Sequence, residues 1–219
     1  MLRLRPEKDP RSIEERSFAI IDEEVGHNKP FTGHEWEIAR RLVHTTADFA
    51  ILETLAFSPN AVAAGVAALR AGRPVLTDTQ MAVAGMPRRR LDPLGVTASC
   101  LLTVPGVDER AKADGITRSR AAVELAGDML ANAILAVGNA PTTLIALVEH
   151  VRGGGKAPAL VIGMPVGFVN AAESKELLLE EPKLETIVIR GRRGGSPLAA
   201  ATVNALAEIA LRQNNPGRE

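Results

Sequence analysis

The order of residues 133–197 decides the fold. Residues 133–137 (AILAV) run into Gly138-Asn139-Ala140-Pro141-Thr142 and a helical segment that stops at Gly153-Gly154-Gly155. Residues 159–162 (ALVI) run into Gly163-Met164-Pro165-Val166-Gly167 and a helix over about 170–180. Residues 186–190 (TIVIR) run into Gly191-Arg192-Arg193-Gly194-Gly195-Ser196-Pro197 and a last helix to about 213. A strand covered on both faces has no polar side to alternate, so it reads as a short continuous apolar run. A helix after each such run is what carries the chain back to start the next parallel strand.

Working outward, residues 73–77 (RPVLT) with Asp78-Thr79 as a helix start, and residues 96–103 (VTASCLLT), read as two further strands, and 118–131 as a helix. Before them lie three helices. Ile13, Phe18, Ile20 and Ile21 stripe a helix over 12–24, with Ser12 as its cap and Gly26 after its end. Trp36, Ala39 and Val43 stripe a second helix from Thr32 or Gly33 to about Ala47, and Ser58-Pro59-Asn60 opens an Ala-rich third that stops near Gly72. The expectation is one α/β domain over residues 1–219: a doubly wound, mainly parallel sheet with helices on both faces and an N-terminal helical segment. Right-handed crossovers gather the Gly-rich loops along the carboxyl edge of such a sheet, where ligands of open α/β folds bind, so the site is expected there.

Lys plus Arg and Asp plus Glu each number 26 in 219 residues, so the formal net charge is zero. That argues against a sequence-independent nucleic-acid binder, which needs a basic excess to displace counterions. The absence of Tyr and the single Trp also disfavour stacking on bases. A lone cysteine, Cys100, forms no internal disulfide and offers no zinc spacing. The charged start, residues 1–16, lacks the apolar core of a secretory signal, and no run approaches the roughly 20 apolar residues of a membrane helix. A cytoplasmic protein without a membrane partner is expected.

Among candidate groups, the loops 138–142, 163–167 and 191–196 bring glycine flexibility and helix N-termini, a combination that suits an anion. None carries a dinucleotide fingerprint, and Gly153-Gly154-Gly155-Lys156 lacks the flanking residues of a phosphate-binding P-loop. His44 falls three residues after Arg41 and four after Arg40, so one helical face carries an imidazole beside guanidinium groups. A nearby cation disfavours the imidazolium and an arriving carboxylate favours it, an arrangement suited to proton exchange; a solvated histidine at a helix end is the alternative. His27, His34 and His150 read as structural or solvated. Arg118 and Arg120, Arg88 to Arg90, and Arg190 to Arg193 are candidate carboxylate binders or simply surface charges. Ser196 and Cys100 lack a nucleophile elbow. From these residues alone the chain is an α/β domain for a polyanionic small molecule, with histidine acid–base chemistry as one reading.

Read together, seven ordered segments resemble the precorrin-8X methylmutase family, including its cobalt-precorrin-8 members. They are Glu15-Arg16-Ser17-Phe18, Arg41-Leu42-Val43-His44, Thr77-Asp78-Thr79-Gln80-Met81, Thr117-Arg118-Ser119, Val137 to Thr142, the block Gly163 to Val169 with Ala171 to Lys175, and Arg190-Gly191 with Gly194-Gly195-Ser196. The resemblance covers about residues 12–210. Thr45-Thr46-Ala47-Asp48-Phe49 falls where the family varies, and Asn170 stands where it often has Gly.

The resemblance implies an isomerase of cobalamin biosynthesis. It would move the C11 methyl of a precorrin-8X, or of its cobalt form, to C12, with no methyl donor, nucleotide or redox cofactor and no metal of its own. It implies His44 as proton donor and acceptor, Ser17 and Arg41 as substrate-binding residues, Arg118 as a further arginine near the ring system, an anionic tetrapyrrole as substrate, and a homodimer with the site near the subunit boundary. A non-catalytic tetrapyrrole carrier and a nucleotide-binding α/β enzyme with atypical loops are the alternatives.

Overall fold

The computed structural model describes residues 10–214. The chain opens with α1 (Pro10–Val25) and α2 (Gly33–Thr46), then β1 (Leu55–Phe57), α3 (Ala61–Arg70), β2 (Val75–Thr77), α4 (Gln80–Ala84), α5 (Arg88–Leu91) and β3 (Ala98–Cys100). There follow α6 (Val107–Asp114), α7 (Arg118–Ala126), β4 (Ile134–Val137), α8 (Pro141–Arg152), β5 (Leu160–Gly163), α9 (Ala171–Leu179), β6 (Thr186–Ile189) and α10 (Ser196–Asn214). The six strands form one sheet in the order β1-β6-β5-β4-β2-β3. Every pairing is parallel except that of β1 with β6. This is the doubly wound sheet expected from the apolar runs, with one antiparallel edge strand added.

The central strands β4, β5 and β6 are buried along their whole length, as continuous apolar runs require. Successive side chains feed opposite faces: Ile134 and Ala136 join a core with α1, α2, α3 and α10, while Leu135 and Val137 join a second core with α6, α7, α8 and α9. Helices α2 and α10 pack antiparallel. Glu37 pairs with Arg212 and, one turn on in α2 and one turn back in α10, Arg41 pairs with Glu208. Because α10 starts at the carboxyl edge after β6, this packing carries the C-terminal end of α2, with His44, toward that same edge.

Where the structure departs from expectation, the reasons are local. Helix α1 begins at Pro10, a residue suited to a first helical turn, so Ser12 lies inside the helix and is not its cap. The run 96–103 is extended only over Ala98–Cys100, because Leu101–Thr103 closes into a 3-10 turn tied by Val104 N–H to Leu101 O. Residues 118–131 split into α7 and a 3-10 turn, Gly127–Leu130.

Candidate functional site

Helix α2 ends in a way that sets the site. The hydroxyls of Thr45 and Thr46 donate to the carbonyls of Arg41 (2.8 Å) and Leu42 (2.9 Å), and Ala47 takes a left-handed conformation (φ 52°) with its N–H on Val43 O at 2.7 Å. The last helical turn therefore presents His44 at a finished helix end. Its ring is exposed and meets the edge of Phe18 from α1, centroids 5.4 Å apart at 71°. An open hollow of about 390 Å³ beside it is lined by Ser17, Ile20, Ile21, Val43, Ala47 and Phe49, with Glu24 at its rim. Ser17 and His44, expected to act together, thus share one hollow. The Ser17 hydroxyl donates back to Ile13 O at 2.8 Å, so its oxygen lone pairs remain available. Among the described residues the His44 ring has no hydrogen-bond partner.

Beneath Phe18 lies a charge network. The guanidinium of Arg40 sits 4.5 Å from the Phe18 centroid and that of Arg41 5.1 Å, so the ring is backed by two cations. Arg40 binds Asp22, which also accepts from Trp36 Nε1 (2.7 Å) and pairs with Lys29 (2.8 Å). Burial pushes the Asp22 carboxyl up, but the donors from Lys29, Trp36 and Arg40 outweigh it and hold it below its ordinary value. Arg41 is buried and reaches Glu14 through Nη1 (2.9 Å) and Glu208 through Nη2 (2.6 Å); Glu208 also takes Arg90 at 2.5 Å. Desolvation raises the Glu14 carboxyl, and the Arg41 hydrogen bond and charge bring it to a net value below the ordinary one. Arg41 therefore carries Phe18, and with it His44, from below. Two terminal nitrogens of Arg41 are thus taken by Glu14 and Glu208, whose side chains are 39% and 33% exposed.

The switch point between β2 and β4, where an open α/β sheet usually holds its ligand, is filled by the chain itself. Asp78, at the end of β2, accepts from Gly138 N–H (2.9 Å), Asn139 N–H (2.7 Å) and Ala140 N–H (2.6 Å). The loop read as an anion site has its anion, supplied from 60 residues earlier. Burial holds the Asp78 carboxyl above its ordinary value against the pull of those three amides. Glycines serve close packing here: a Cβ on Gly138 would meet the Ser196 backbone at 2.5 Å, and one on Gly194 the Met164 carbonyl oxygen at 2.1 Å. Thr79, which caps α4, and Ser196, the first residue of α10, join their hydroxyls at 2.7 Å. Fully buried Lys175 spans the base of the β6–α10 loop, donating to Ile189 O (2.8 Å) and Arg193 O (2.6 Å). Arg193 in turn pairs with Asp48, four residues beyond His44, at 2.8 Å. The carboxyl-edge loops thus reach the histidine at their margin.

Arg118 is elsewhere. It opens α7 on the opposite face of the sheet and pairs with Asp108 of α6 at 2.5 Å. The structure brings Ser17, Arg41 and His44 together and leaves Arg118 apart within one chain. Glu14, Asp22 and Glu208 carry no motif in the sequence, and Asp78 and Lys175 stand inside motifs that assign them no site role. The i, i+4 spacing of Glu14, Phe18 and Asp22 on α1 was the one available signal. Among the described residues no three His, Cys, Asp or Glu side chains gather as a metal site.

These features define a doubly wound α/β protein with a closed switch point, whose candidate site is a histidine hollow on the N-terminal helices at the margin of the carboxyl-edge loops. The family model described as "Precorrin-8X methylmutase" matches residues 12–209, and the chain belongs to this family. It is 42% identical over 205 residues to a "Precorrin-8X methylmutase" of Sinorhizobium sp., covering 93% of this chain and 97% of the relative. It is 39% identical over 203 residues to a "Cobalt-precorrin-8 methylmutase" of Leptospira interrogans, covering 90% and 92%. The solved precorrin-8X methyl mutase of Thermus thermophilus superposes with a TM-score of 0.87 at 46% identity, covering 93% of this chain and 97% of that one.

Proposed function

We propose that this chain catalyses the methylmutase isomerisation of a precorrin-8, moving the ring methyl from C11 to C12, with His44 exchanging the proton that accompanies the shift. The observation that supports it is the pairing of an exposed imidazole, without a hydrogen-bond partner among the described residues, with Ser17 in an apolar-walled hollow, in a chain of this family. The migration creates no net charge and needs no donor; what it needs is the correct tautomer of the conjugated ring and a methyl held over its destination. An imidazole has one nitrogen to give that proton and one to take it. Phe18, clamped by Arg40 and Arg41, fixes the imidazole plane, so orientation is set before the ring arrives. Ser17 offers a lone pair or its hydroxyl to a ring substituent. A substrate carboxylate that displaces Glu14 gains the buried Arg41 charge while leaving the network neutral.

The position of Arg118 supports a homodimer as the working unit. Since its own chain holds it on the opposite face of the sheet from His44, Arg118 serves the ring system from a second copy at the subunit boundary. Mixed oligomers of His44→Ala and Arg118→Ala chains then regain part of the activity that each variant lacks. No recovery in verified mixed oligomers contradicts a shared site. The direct assay is anaerobic mixing of the purified protein with precorrin-8X and with its cobalt form. Conversion of the precorrin spectrum to that of the rearranged corrinoid supports catalysis, whereas binding with an unchanged spectrum identifies a carrier.

A further inference from the structure

The β5–α9 loop exposes consecutive large apolar side chains: Phe168 is 81% and Val169 79% exposed, with Val166 at 47% beside them. An isolated exposed hydrophobic residue is ordinary, but adjacent ones on a firmly held loop are not. This loop is held. Gly167 N–H donates to Arg192 O at 3.2 Å and Gly195 N–H to Met164 O at 2.8 Å, so the β5 and β6 loops are stitched together by their backbones. Lys175 anchors the second of them from below.

On this base the guanidinium of Arg192 lies 5.3 Å from the Phe168 ring centroid. Its neighbours Arg190 and Arg193 are ion-paired with Glu176 and Asp48, but among the described residues no carboxylate lies within ion-pair distance of Arg192. The result is a preformed aromatic surface with an unneutralised cation at its edge. Because Arg193 pairs with Asp48, the surface is tied to the turn that follows His44. The hollow beside His44 takes only part of a macrocycle with several carboxylate arms, and its walls are Ile20, Ile21, Val43 and Phe49, with no unpaired cation among its lining residues.

We propose that Phe168 and Arg192 form a second wall of the substrate site: Phe168 packs against the conjugated ring and Arg192 takes a peripheral carboxylate while the reacting edge lies at His44. This rests on the tetrapyrrole reading above. A flat, polyanionic conjugated ring matches both halves of the pair, since an aromatic face and a planar guanidinium each stack on it and the guanidinium also forks onto a carboxylate. Phe168 and Arg192 are binding residues in this account, with no part in proton transfer.

The test is steady-state kinetics with precorrin-8X, together with equilibrium binding of the rearranged corrinoid product followed by its absorbance shift. Wild type, Phe168→Ala, Arg192→Gln and Arg192→Lys are compared. The expected result is KM and product Kd raised about ten-fold or more in Phe168→Ala and Arg192→Gln, with kcat within about three-fold of wild type, and a partial recovery in Arg192→Lys. Product affinity of Arg192→Gln also falls less steeply with salt than that of wild type. Unchanged KM and Kd in both variants overturn the proposal. So does a loss in Phe168→Ala that sedimentation traces to dissociation of the oligomer, because the patch is then a contact between copies. A wild type that binds the product without converting precorrin-8X overturns the catalytic reading, and the binding comparison still decides the second wall.

Discussion

Lys175 offers a measurement on the loop that ties the carboxyl edge to His44. Its side chain has no exposure, and its Nζ meets two carbonyl oxygens and, among the described residues, no carboxylate within ion-pair distance. Burial lowers its pKa from 10.5 to about 8 against the opposing charge of Glu176. An unfolded lysine titrates near about 10.4, so between these values the folded chain binds fewer protons than the unfolded one, and stability rises with pH. The contribution is complete above the unfolded value and is lost as pH falls through about 8. Integrating between the two pKa values gives a gain of about 2–3 kcal/mol from pH 7 to pH 10 that belongs to this one group. Urea unfolding of wild type and Lys175→Met at pH 7, 8, 9 and 10 isolates it, because groups with equal pKa values in both states cancel. The difference between the two proteins is expected to shift by that amount in favour of wild type. Parallel stability profiles refute the reasoning and mean that water or local opening reaches the ammonium group.

Further outcomes follow from the same geometry. Ala47→Gly is expected to stabilise the chain by about 0.5–1 kcal/mol, read as a raised urea midpoint, because Ala47 is a non-glycine residue in the left-handed region at an exposed helix end. Gly194→Ala is expected to cost at least about 2 kcal/mol, since its Cβ meets a backbone carbonyl that has no side-chain freedom to move aside. The control Gly33→Ala meets nothing and costs only its backbone strain, about 1 kcal/mol. Equal losses in the two variants would contradict the packing argument. Asp22, held below its ordinary pKa, contributes stability that is present above about pH 4 and lost as pH falls through its folded value. Acid unfolding of Asp22→Asn is therefore expected to show a shallower decline below pH 4 than wild type.

The parallel sheet was legible because burial on both faces leaves an unmistakable pattern: β4, β5 and β6 begin and end within a residue or so of the apolar runs at 133–137, 159–162 and 186–190. Strand β1 was not, since Leu55–Phe57 is three residues long and half-buried, with no alternation to read. Helix α6 (VDERAKAD) escaped because so few of its residues face the core that its sequence reads as solvated loop. Around the candidate site, the placement of His44 one turn after Arg40 and Arg41 on α2 was legible through helical spacing. The partners of Arg41 were not, because Glu208 lies 167 residues away and only tertiary packing joins them. The loop 138–142 reads in the sequence as a cradle for an anionic ligand, whereas its amides are taken by the chain's own Asp78, and nothing in the sequence marks that pairing. Gly138 and Gly194 likewise looked like room for a ligand and instead admit neighbouring backbone.

The central claim, that His44 moves the proton of the methyl shift, is tested most directly by the single-turnover rate of His44→Ala with bound precorrin-8X. Product binding like that of wild type and a rate lower by about 10²- to 10⁴-fold are expected. A variant that rearranges the ring at the wild-type rate would contradict it.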